Sequence, residues 1–194
     1  MRKKFYRFYG GLITAQARWL NRMSENGLRL VRAETLLYEF EECEPGKYLY
    51  QVEFIGQKSM EGAKEYHDFL EDMGYRVFFK NINLNYSAGK AVWRPWADKG
   101  GRIATSSTTF NRELLIVEKE NDKTPFSLHT TLEDQRNYYK TLRRPMLFAF
   151  VFWMAFALVM RTWWVGIFGV LFLIPLIFYQ IELTRLTKQA KLSE

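Results

Sequence analysis

A long apolar tract near the C-terminus limits how this chain can fold. Residues 145–181 contain a single charged side chain, that of Arg161. As one straight helix this tract would be roughly 55 Å long, whereas the hydrocarbon core of a bilayer is about 30 Å thick. A charged side chain at the centre of a bilayer also costs about 2.5–3.5 kcal/mol. A break at Arg161 and Thr162 removes both difficulties, so the sequence predicts two transmembrane helices, at about residues 145–160 and 163–181.

The residues that flank the two predicted spans indicate their orientation. Basic residues lie before the first span and after the second, whereas the turn between the spans offers only Arg161. Because cytoplasmic loops carry an excess of Lys and Arg, we expect a cell-membrane protein with both termini in the cytoplasm. The expected membrane-interface residues are Arg143, Arg144, Arg161, Trp163, Trp164 and Arg185. A buried helical hairpin is the alternative, although a soluble domain this small could hardly cover two helices that are apolar on every face.

The rest of the chain divides into further segments. Residues 1–122 predict a cytosolic α+β domain, and residues 123–144 predict a linker with a juxtamembrane helix. Within residues 145–194, a cytosolic helical tail follows the two predicted spans. The lone cysteine, Cys43, excludes an intrachain disulfide framework and favours a reducing compartment.

The predicted cytosolic domain alternates between strand-like and helix-like hydrophobic periods. Strand-like runs start at Lys3 and occupy residues 28–42, 47–56 and 75–87, with one amphipathic helix after the first run and another after the third. The order β-α-β-β-α-β predicts a ferredoxin-like domain, in which two strand–helix–strand halves are related by a pseudo-twofold axis. The domain is expected to have extra C-terminal strands, since residues 88–90 can close a hairpin and residues 113–120 predict one more strand.

Each predicted half contains the same short outline where its helix ends. A methionine, a glycine and an arginine occur in that order around Gly27, and they recur around Gly74. Glycine commonly ends a helix because it adopts positive φ at no steric cost. We therefore interpret both glycines as backbone devices that turn a helix into a strand, rather than as ligand contacts.

The residue types that carry most enzyme chemistry are sparse in this sequence. His67 and His129 are the only histidines, and neither has a second His or Cys at metal-ligand spacing. Cys43 lies among glutamates, which should raise the pKa of its thiol and make it a poor nucleophile. The sequence therefore predicts a protein that is not an enzyme and that needs no metal or cofactor.

Aromatic residues supply the candidate ligand or partner face. The candidates are Tyr48, Tyr50 and Phe54 on one strand, and Trp93, Arg94 and Trp96 in a second group. A small ferredoxin-like sheet exposes one face unless the membrane stalk or a second copy of the chain covers it, in which case the first group is core or dimer interface. The second group can contact an anionic headgroup or stack on a ligand. Packing of its tryptophans on the sheet is the alternative.

The net charge of the chain suggests which partners it attracts. The formal charge is +7, but residues 1–40 and 76–110 are basic whereas residues 41–75 are acidic. This alternation argues against a continuous nucleic-acid-binding stripe, so we expect no specific nucleic-acid binding. A basic cytoplasmic surface that faces anionic lipid explains the excess. The expected partners are membrane lipids, together with a partner protein or a second copy of the chain.

Four short motifs occur in a fixed order in the first 80 residues. They are Trp19-Leu20-Asn21…Met23…Gly27, then Tyr38…Phe40, then Glu44-Pro45-Gly46…Tyr48…Tyr50…Val52…Phe54, and finally Tyr66…Phe69…Met73-Gly74-Tyr75. In these motifs and in its apolar hairpin, the chain resembles a bacterial family of unknown function, domain-of-unknown-function family 2812. The resemblance implies a membrane-anchored cytosolic domain, often encoded beside PadR-type repressors. It implies no established activity, and no catalytic residues are carried over from it.

Two functional hypotheses from different classes follow from these features. The first is a non-enzymatic, membrane-anchored regulatory or adaptor protein whose cytosolic domain binds a partner protein or an amphiphilic ligand. The alternative is an accessory subunit of a membrane transport or envelope-stress system that acts through the hairpin. An enzyme that acts on a lipid headgroup through residues 93–102 is a third class, but no acid, base or nucleophile there has an identifiable partner.

Overall fold

The chain folds into two compact units, Met1–His129 and Thr130–Glu194, which are described separately. The structure is a computed structural model. It describes residues 2–56, 58, 60–82, 86–88, 91–93, 103–104, 113–124, 126, 128 and 132–192. In this part of the chain the fold is α+β with two apolar helices at the C-terminal end, which confirms the predicted fold class.

The first unit contains two helices and nine strands within the described residues. The helices are α1 (Ile13–Glu25) and α2 (Met60–Asp72). The strands are β1 (Lys3–Tyr6), β2 (Leu28–Ala33), β3 (Leu37–Glu42), β4 (Tyr48–Phe54), β5 (Arg76–Lys80), β6 (Tyr86–Ala88), β7 (Ala91–Trp93), β8 (Ile103–Ala104) and β9 (Leu114–Glu120).

The main strands form two three-stranded antiparallel sheets with the same internal order. The first sheet has the order β1-β3-β2 and the second has the order β4-β9-β5. In each sheet, two strands joined through a helix lie on either side of a third strand that is antiparallel to both. The unit is thus a tandem of two strand–helix–strand–strand repeats, and β9 is the central strand of the second. A ferredoxin-like arrangement, with four strands in one sheet, is not confirmed by this pairing.

The predicted single strand over residues 28–42 is wrong. The segment is a hairpin of β2 and β3, in which Ala33 pairs with Tyr38 around a short turn. Farther along the chain, the predicted hairpin near residue 90 is present as β6 and β7, where Ala88 pairs with Ala91. Strand β8 pairs with β7 and completes a third, small sheet.

An aromatic cluster forms the core of the first repeat. Trp19 of α1 is 8% exposed and meets the rings of Tyr38 and Phe40 at centroid distances of 4.9 and 5.5 Å, with the planes nearly perpendicular. Phe5 meets both Trp19 and Phe40 in the same edge-to-face manner. This geometry is favoured because the positive edge of one ring faces the negative face of the other.

The second repeat has an aliphatic core instead. Helix α2 places Ala63 and Leu70 against Leu115 and Val117 of the central strand β9, with Ile55 in the same cluster. Alternate residues of β9 point to opposite faces of the sheet, so Leu115 and Val117 face α2 together. Both helices end at a glycine of positive φ, Gly27 at +74° and Gly74 at +83°, which agrees with their interpretation as helix stops.

The second unit is a pair of long helices, α3 (Leu132–Val159) and α4 (Trp163–Leu192). The helices break at the residues that the sequence predicts, and Arg161 in the turn has a φ of +51°. Both helices are long and apolar enough to cross a membrane. Large apolar side chains along them are exposed, including Phe148, Leu158, Trp163, Leu171 and Ile181.

Candidate functional site

Helix α1 covers the outer edge of strand β4 with polar side chains. The amide of Asn21 donates to the main-chain carbonyl of Tyr50 at 2.8 Å and accepts from its main-chain N–H at 2.8 Å. The hydroxyl of Ser24 makes the equivalent pair of bonds with the main chain of Tyr48, at 2.6 and 3.2 Å. These bonds satisfy edge groups that would otherwise be open to pairing with another chain. They also fix the first repeat against the second.

A buried polar network joins the two repeats beside this edge. The Tyr50 hydroxyl donates to Glu118 Oε2 at 2.7 Å and accepts from the main-chain N–H of Leu30 at 2.9 Å. Arg29 donates from Nε and from one terminal nitrogen to Glu118 Oε1, at 2.9 and 2.7 Å. Its guanidinium also lies 4.2 Å from the ring centroid of Tyr48. The network therefore links β2 to both β4 and β9.

The network raises the pKa values of Tyr50 and Arg29. Burial, followed by the nearby Glu118 carboxylate, raises the pKa of Tyr50. The hydrogen bond to Glu118 raises the pKa of Arg29, so the guanidinium stays charged throughout the physiological range. At 3% exposure, Glu118 would be costly to bury without these partners.

A buried lysine provides a second connection between the repeats. Lys80 of β5 is 3% exposed, and its Nζ donates to the main-chain carbonyls of Glu34 and Thr35 at 2.6 and 2.8 Å. The same ammonium lies 4.7 Å from the ring centroid of Tyr38. Burial lowers the pKa of Lys80 to about 8. The residue therefore holds the β2–β3 turn from the other repeat.

Within the described residues, three buried polar atoms near Tyr38 make no hydrogen bond of normal geometry. They are the hydroxyls of Tyr9 and Tyr38 and the Nε2 of Gln16. Tyr38 is fully buried and Gln16 is 1% exposed, while the rings of Tyr9 and Tyr38 lie 6.2 Å apart at right angles. Burial raises the pKa of Tyr38 above the usual tyrosine value and that of Tyr9 to about 12. Both phenols therefore stay neutral at physiological pH.

The first predicted aromatic group falls partly inside this joint between the repeats. Tyr50 is fully buried, whereas Tyr48 and Phe54 are half-buried. Because the Tyr50 ring is enclosed and its hydroxyl is bonded on both sides, the residue offers no surface to a partner. Strand β7 contains Trp93, which pairs with Tyr86 and Ile103, and Arg94 and Trp96 lie outside the described residues.

A titratable trio on α2 was not predicted from the sequence. Possible ligand atoms of His67, Asp68 and Glu71 lie within 4.8 Å of one another, but both carboxylates are exposed. The His67 ring stacks on Phe79 at 4.8 Å, and such neighbours are ordinary on a helix surface. The sequence could have predicted that His67 and Glu71 lie close together, because residues four apart share one face of a helix.

The environment of Cys43 agrees in direction with the sequence analysis. The pKa of its thiol is raised, chiefly by burial, with smaller contributions from Glu118 and Glu41 and an opposing one from Arg29. Burial rather than the neighbouring glutamates is thus the leading cause. A thiol with a raised pKa is a weak nucleophile at neutral pH.

The expected membrane-interface residues lie at both ends of the apolar stretches of α3 and α4. Arg161, Trp163 and Trp164 are exposed at the turn, and the two indole rings stack at a centroid distance of 3.7 Å. At the other end, Arg144 and Arg185 are exposed, whereas Arg143 is half-buried and donates to Gln180 Oε1 at 2.6 Å.

These features define an α+β protein with two charged connections between its repeats and an apolar helical hairpin. A family model described as a protein of unknown function (DUF2812) matches residues 13–151, so the chain belongs to that family. This confirms the resemblance seen in the sequence motifs. No curated protein and no solved structure matches the chain.

Proposed function

We propose that this protein is a non-enzymatic, membrane-anchored regulatory or adaptor protein. In this proposal α3 and α4 span the cell membrane, both termini lie in the cytoplasm, and the first unit recruits a partner protein. The observation that carries the proposal is the outward exposure of large apolar side chains along both long helices, since such a surface is stable in lipid and costly in water.

The flanking charges support the proposed orientation. Basic residues cluster on α3 before its apolar stretch and on α4 after it, while the turn between the helices offers Arg161 alone. The exposed, stacked Trp163 and Trp164 suit the opposite membrane–water boundary.

A structural role for the buried polar groups supports the non-enzymatic assignment. Glu118 is bonded to Arg29 and Tyr50, and Lys80 is bonded to two main-chain carbonyls. A general acid, base or nucleophile has to reach a substrate. In the described part of the chain, these groups are instead enclosed between the repeats.

Strand β1 offers the best surface for a protein partner. It is an edge strand of the first sheet, and Tyr6 and Phe8 at its end are 72% and 62% exposed. Leu36, which is 43% exposed, accepts a main-chain hydrogen bond from Arg7 and so lies at the same end of the sheet. An edge strand with exposed apolar side chains can accept an extended segment of another protein.

Crosslinking in native membranes tests the proposal. The full-length chain should capture a specific protein, and Tyr6→Ser combined with Phe8→Ser should lose it. Phe69→Ser combined with Met73→Ser is the matched control, because those side chains are 45% and 51% exposed on the other repeat. Equal capture by all three chains would contradict recruitment through β1. Enzymatic turnover of any membrane component by the purified chain would contradict the non-enzymatic assignment.

A further inference from the structure

A groove lined by basic side chains lies between α3 and α4 beyond their apolar stretches. Its volume is about 450 Å³. Five cationic residues line it: Arg136, Lys140, Arg143, Lys188 and Lys191. Among the described residues that form its walls, none is acidic. The groove therefore concentrates positive charge in a concave site, which a solvated basic face of a single helix would not do.

Two direct contacts build the groove by holding the helices side by side. Arg143 donates to Gln180 across the helix pair at 2.6 Å, and the rings of Tyr139 and Tyr179 lie 6.3 Å apart. Tyr139 and Tyr179 are both fully or almost fully buried, so the helices are packed at this level. The groove is thus part of the packed helix pair rather than a gap between loose ends.

The sequence spacing places the basic residues of each helix on one face. Arg136, Lys140 and Arg143 are separated by four and three residues, so they share one face of α3. On α4, Thr184, Lys188 and Lys191 share a face in the same way. The Thr184 hydroxyl donates to the carbonyl of Gln180 within its own helix and carries no charge, so it leaves the positive charge of the groove unchanged.

The location of the groove suits a lipid headgroup. Arg143 comes two residues before Pro145, where the apolar stretch of α3 begins, and from there to Arg136 the helix rises by roughly 10 Å. The headgroup region on one side of a bilayer is about 5–8 Å deep. The same helix faces continue towards the apolar side through Leu147 and Ile177, which are 45% and 52% exposed. A bound molecule would therefore meet cations at one end and apolar side chains at the other.

We infer that this groove binds the phosphate headgroup of an anionic phospholipid, whose acyl chains lie along the apolar surface that begins at Leu147 and Ile177. The inference rests on the proposed membrane location of α3 and α4. Arg and Lys are the natural ligands of phosphate oxygens, and basic pockets between membrane helices on the cytoplasmic side suit such headgroups. The exposed apolar continuation favours a lipid over a soluble phosphate compound.

Matched charge variants of the full-length chain test the inference. Lys140→Gln with Lys188→Gln removes two exposed cations from the groove, and Arg144→Gln with Arg185→Gln removes two exposed cations outside it. Binding of phosphatidylglycerol and phosphatidylcholine to the purified protein in detergent is measured by native mass spectrometry. The groove variant should bind phosphatidylglycerol roughly 10-fold or more weakly than the wild type. The control variant should retain the wild-type preference, and phosphatidylcholine binding should not change.

Three results would overturn the inference. If both variants lost phosphatidylglycerol binding equally, general charge attraction would explain the binding. If the wild type bound phosphatidylglycerol no better than phosphatidylcholine, the groove would not select anionic lipid. Displacement of the lipid by an equal concentration of glycerophosphoglycerol, its deacylated headgroup, would identify a soluble phosphate ligand instead. A separate experiment, alkaline extraction of native membranes, tests the membrane anchor of the proposed function. Loss of the wild-type chain from the membrane fraction would contradict the anchor. Failure of lipid binding with the chain still in that fraction would contradict only the inference about the groove.

Discussion

At the scale of single residues, Tyr38 and Tyr50 are a natural pair for comparison. Both are fully buried, and burial raises the pKa of both. The Tyr50 hydroxyl bridges Leu30 and Glu118, whereas the Tyr38 hydroxyl lies beside Gln16 and makes no hydrogen bond of normal geometry with the residues that the structure describes. The cost of a buried polar group depends on whether it is hydrogen-bonded. The Tyr50 hydroxyl should therefore stabilise the fold, whereas the Tyr38 hydroxyl should contribute nothing or destabilise it.

We predict that Tyr50→Phe lowers the free energy of unfolding by about 2–3 kcal/mol, because it leaves the Leu30 N–H and one Glu118 oxygen without their bond. Tyr38→Phe should change that free energy by less than about 0.5 kcal/mol or increase it. Urea unfolding in detergent, followed by tryptophan fluorescence, measures both changes. A comparable loss in Tyr38→Phe would show that its hydroxyl has a partner, such as a buried water.

Lys80 gives a prediction about pH. Its pKa in the folded chain is about 8, whereas a lysine in an unfolded chain has a pKa of about 10.4. Between these values the unfolded chain binds more protons than the folded chain, so the contribution of Lys80 to stability rises as the pH rises. Below pH 8 the ammonium is charged in both states, and the full cost of burying it is present.

The wild-type unfolding free energy should therefore rise between pH 8 and pH 9.5 relative to that of Lys80→Met, by on the order of 1–2 kcal/mol. Urea unfolding at several pH values, with the difference between the two chains plotted, measures this effect. Lys64→Met on the exposed face of α2 is the control. Its unfolding free energy should change with pH in the same way as that of the wild type. If the difference in unfolding free energy between the wild type and Lys80→Met stayed constant over this pH range, the prediction would be wrong.

The same lysine accounts for the hairpin that the sequence pattern did not predict. The turn between β2 and β3 contains Glu34, Thr35 and Leu36, and it has no glycine or proline to mark it. Its carbonyls are instead held by Lys80, which is distant in sequence but adjacent in the fold. A turn that is stabilised by a tertiary contact leaves no local signal, so the pattern of the hairpin resembles that of one strand.

At the scale of elements, the two helix-ending glycines meet different surroundings. Both have positive φ, but a Cβ added at Gly27 would lie 3.0 Å from the carbonyl oxygen of Cys43, whereas at Gly74 nothing described lies within 4 Å. The Cys43 backbone cannot easily move away, because its N–H donates to the carbonyl of Gly27 at 2.9 Å. The sequence revealed the shared helix stop but not this close approach of the chain.

We predict that Gly74→Ala lowers the free energy of unfolding by about 1–2 kcal/mol, the strain of positive φ alone. Gly27→Ala should cost roughly 1–3 kcal/mol more, because it adds a backbone clash to that strain. The two variants serve as controls for each other in one unfolding experiment. Equal losses would show that the turn near Cys43 adjusts, and that φ alone decides both costs.

The central strands of the two sheets also show what sequence patterns do not reveal. Strand β3 follows β2 directly, but β9 is separated from β5 by more than thirty residues and still lies between β4 and β5. The apolar and β-branched residues within 113–120 predict a strand at the end of the domain. Which strands it pairs with depends on long-range contacts that no local period contains.

At the scale of the whole molecule, the two units raise the question of which one carries specificity. The apolar helices were evident from composition, since a run of this length with one charge is suited to lipid and long enough to cross a bilayer twice. The strand pairing within each repeat and the connections between the repeats were not evident, because they depend on residues far apart in the sequence. The adaptor proposal assigns recognition to the first unit and leaves anchoring to the hairpin.

Replacement of residues 147–177 by an unrelated two-span hairpin separates these roles. The exchange keeps Arg143, Gln180 and the cations of the groove, so the juxtamembrane contacts of α3 and α4 are preserved. If the helices mainly anchor the protein, the exchanged chain should remain in the membrane fraction and capture the same partner at the wild-type yield. Adding Tyr6→Ser and Phe8→Ser to the exchanged chain should then abolish capture. Loss of the partner on exchange alone would instead favour an accessory subunit of a transport or envelope-stress system, because the specificity would then reside in the apolar helices themselves.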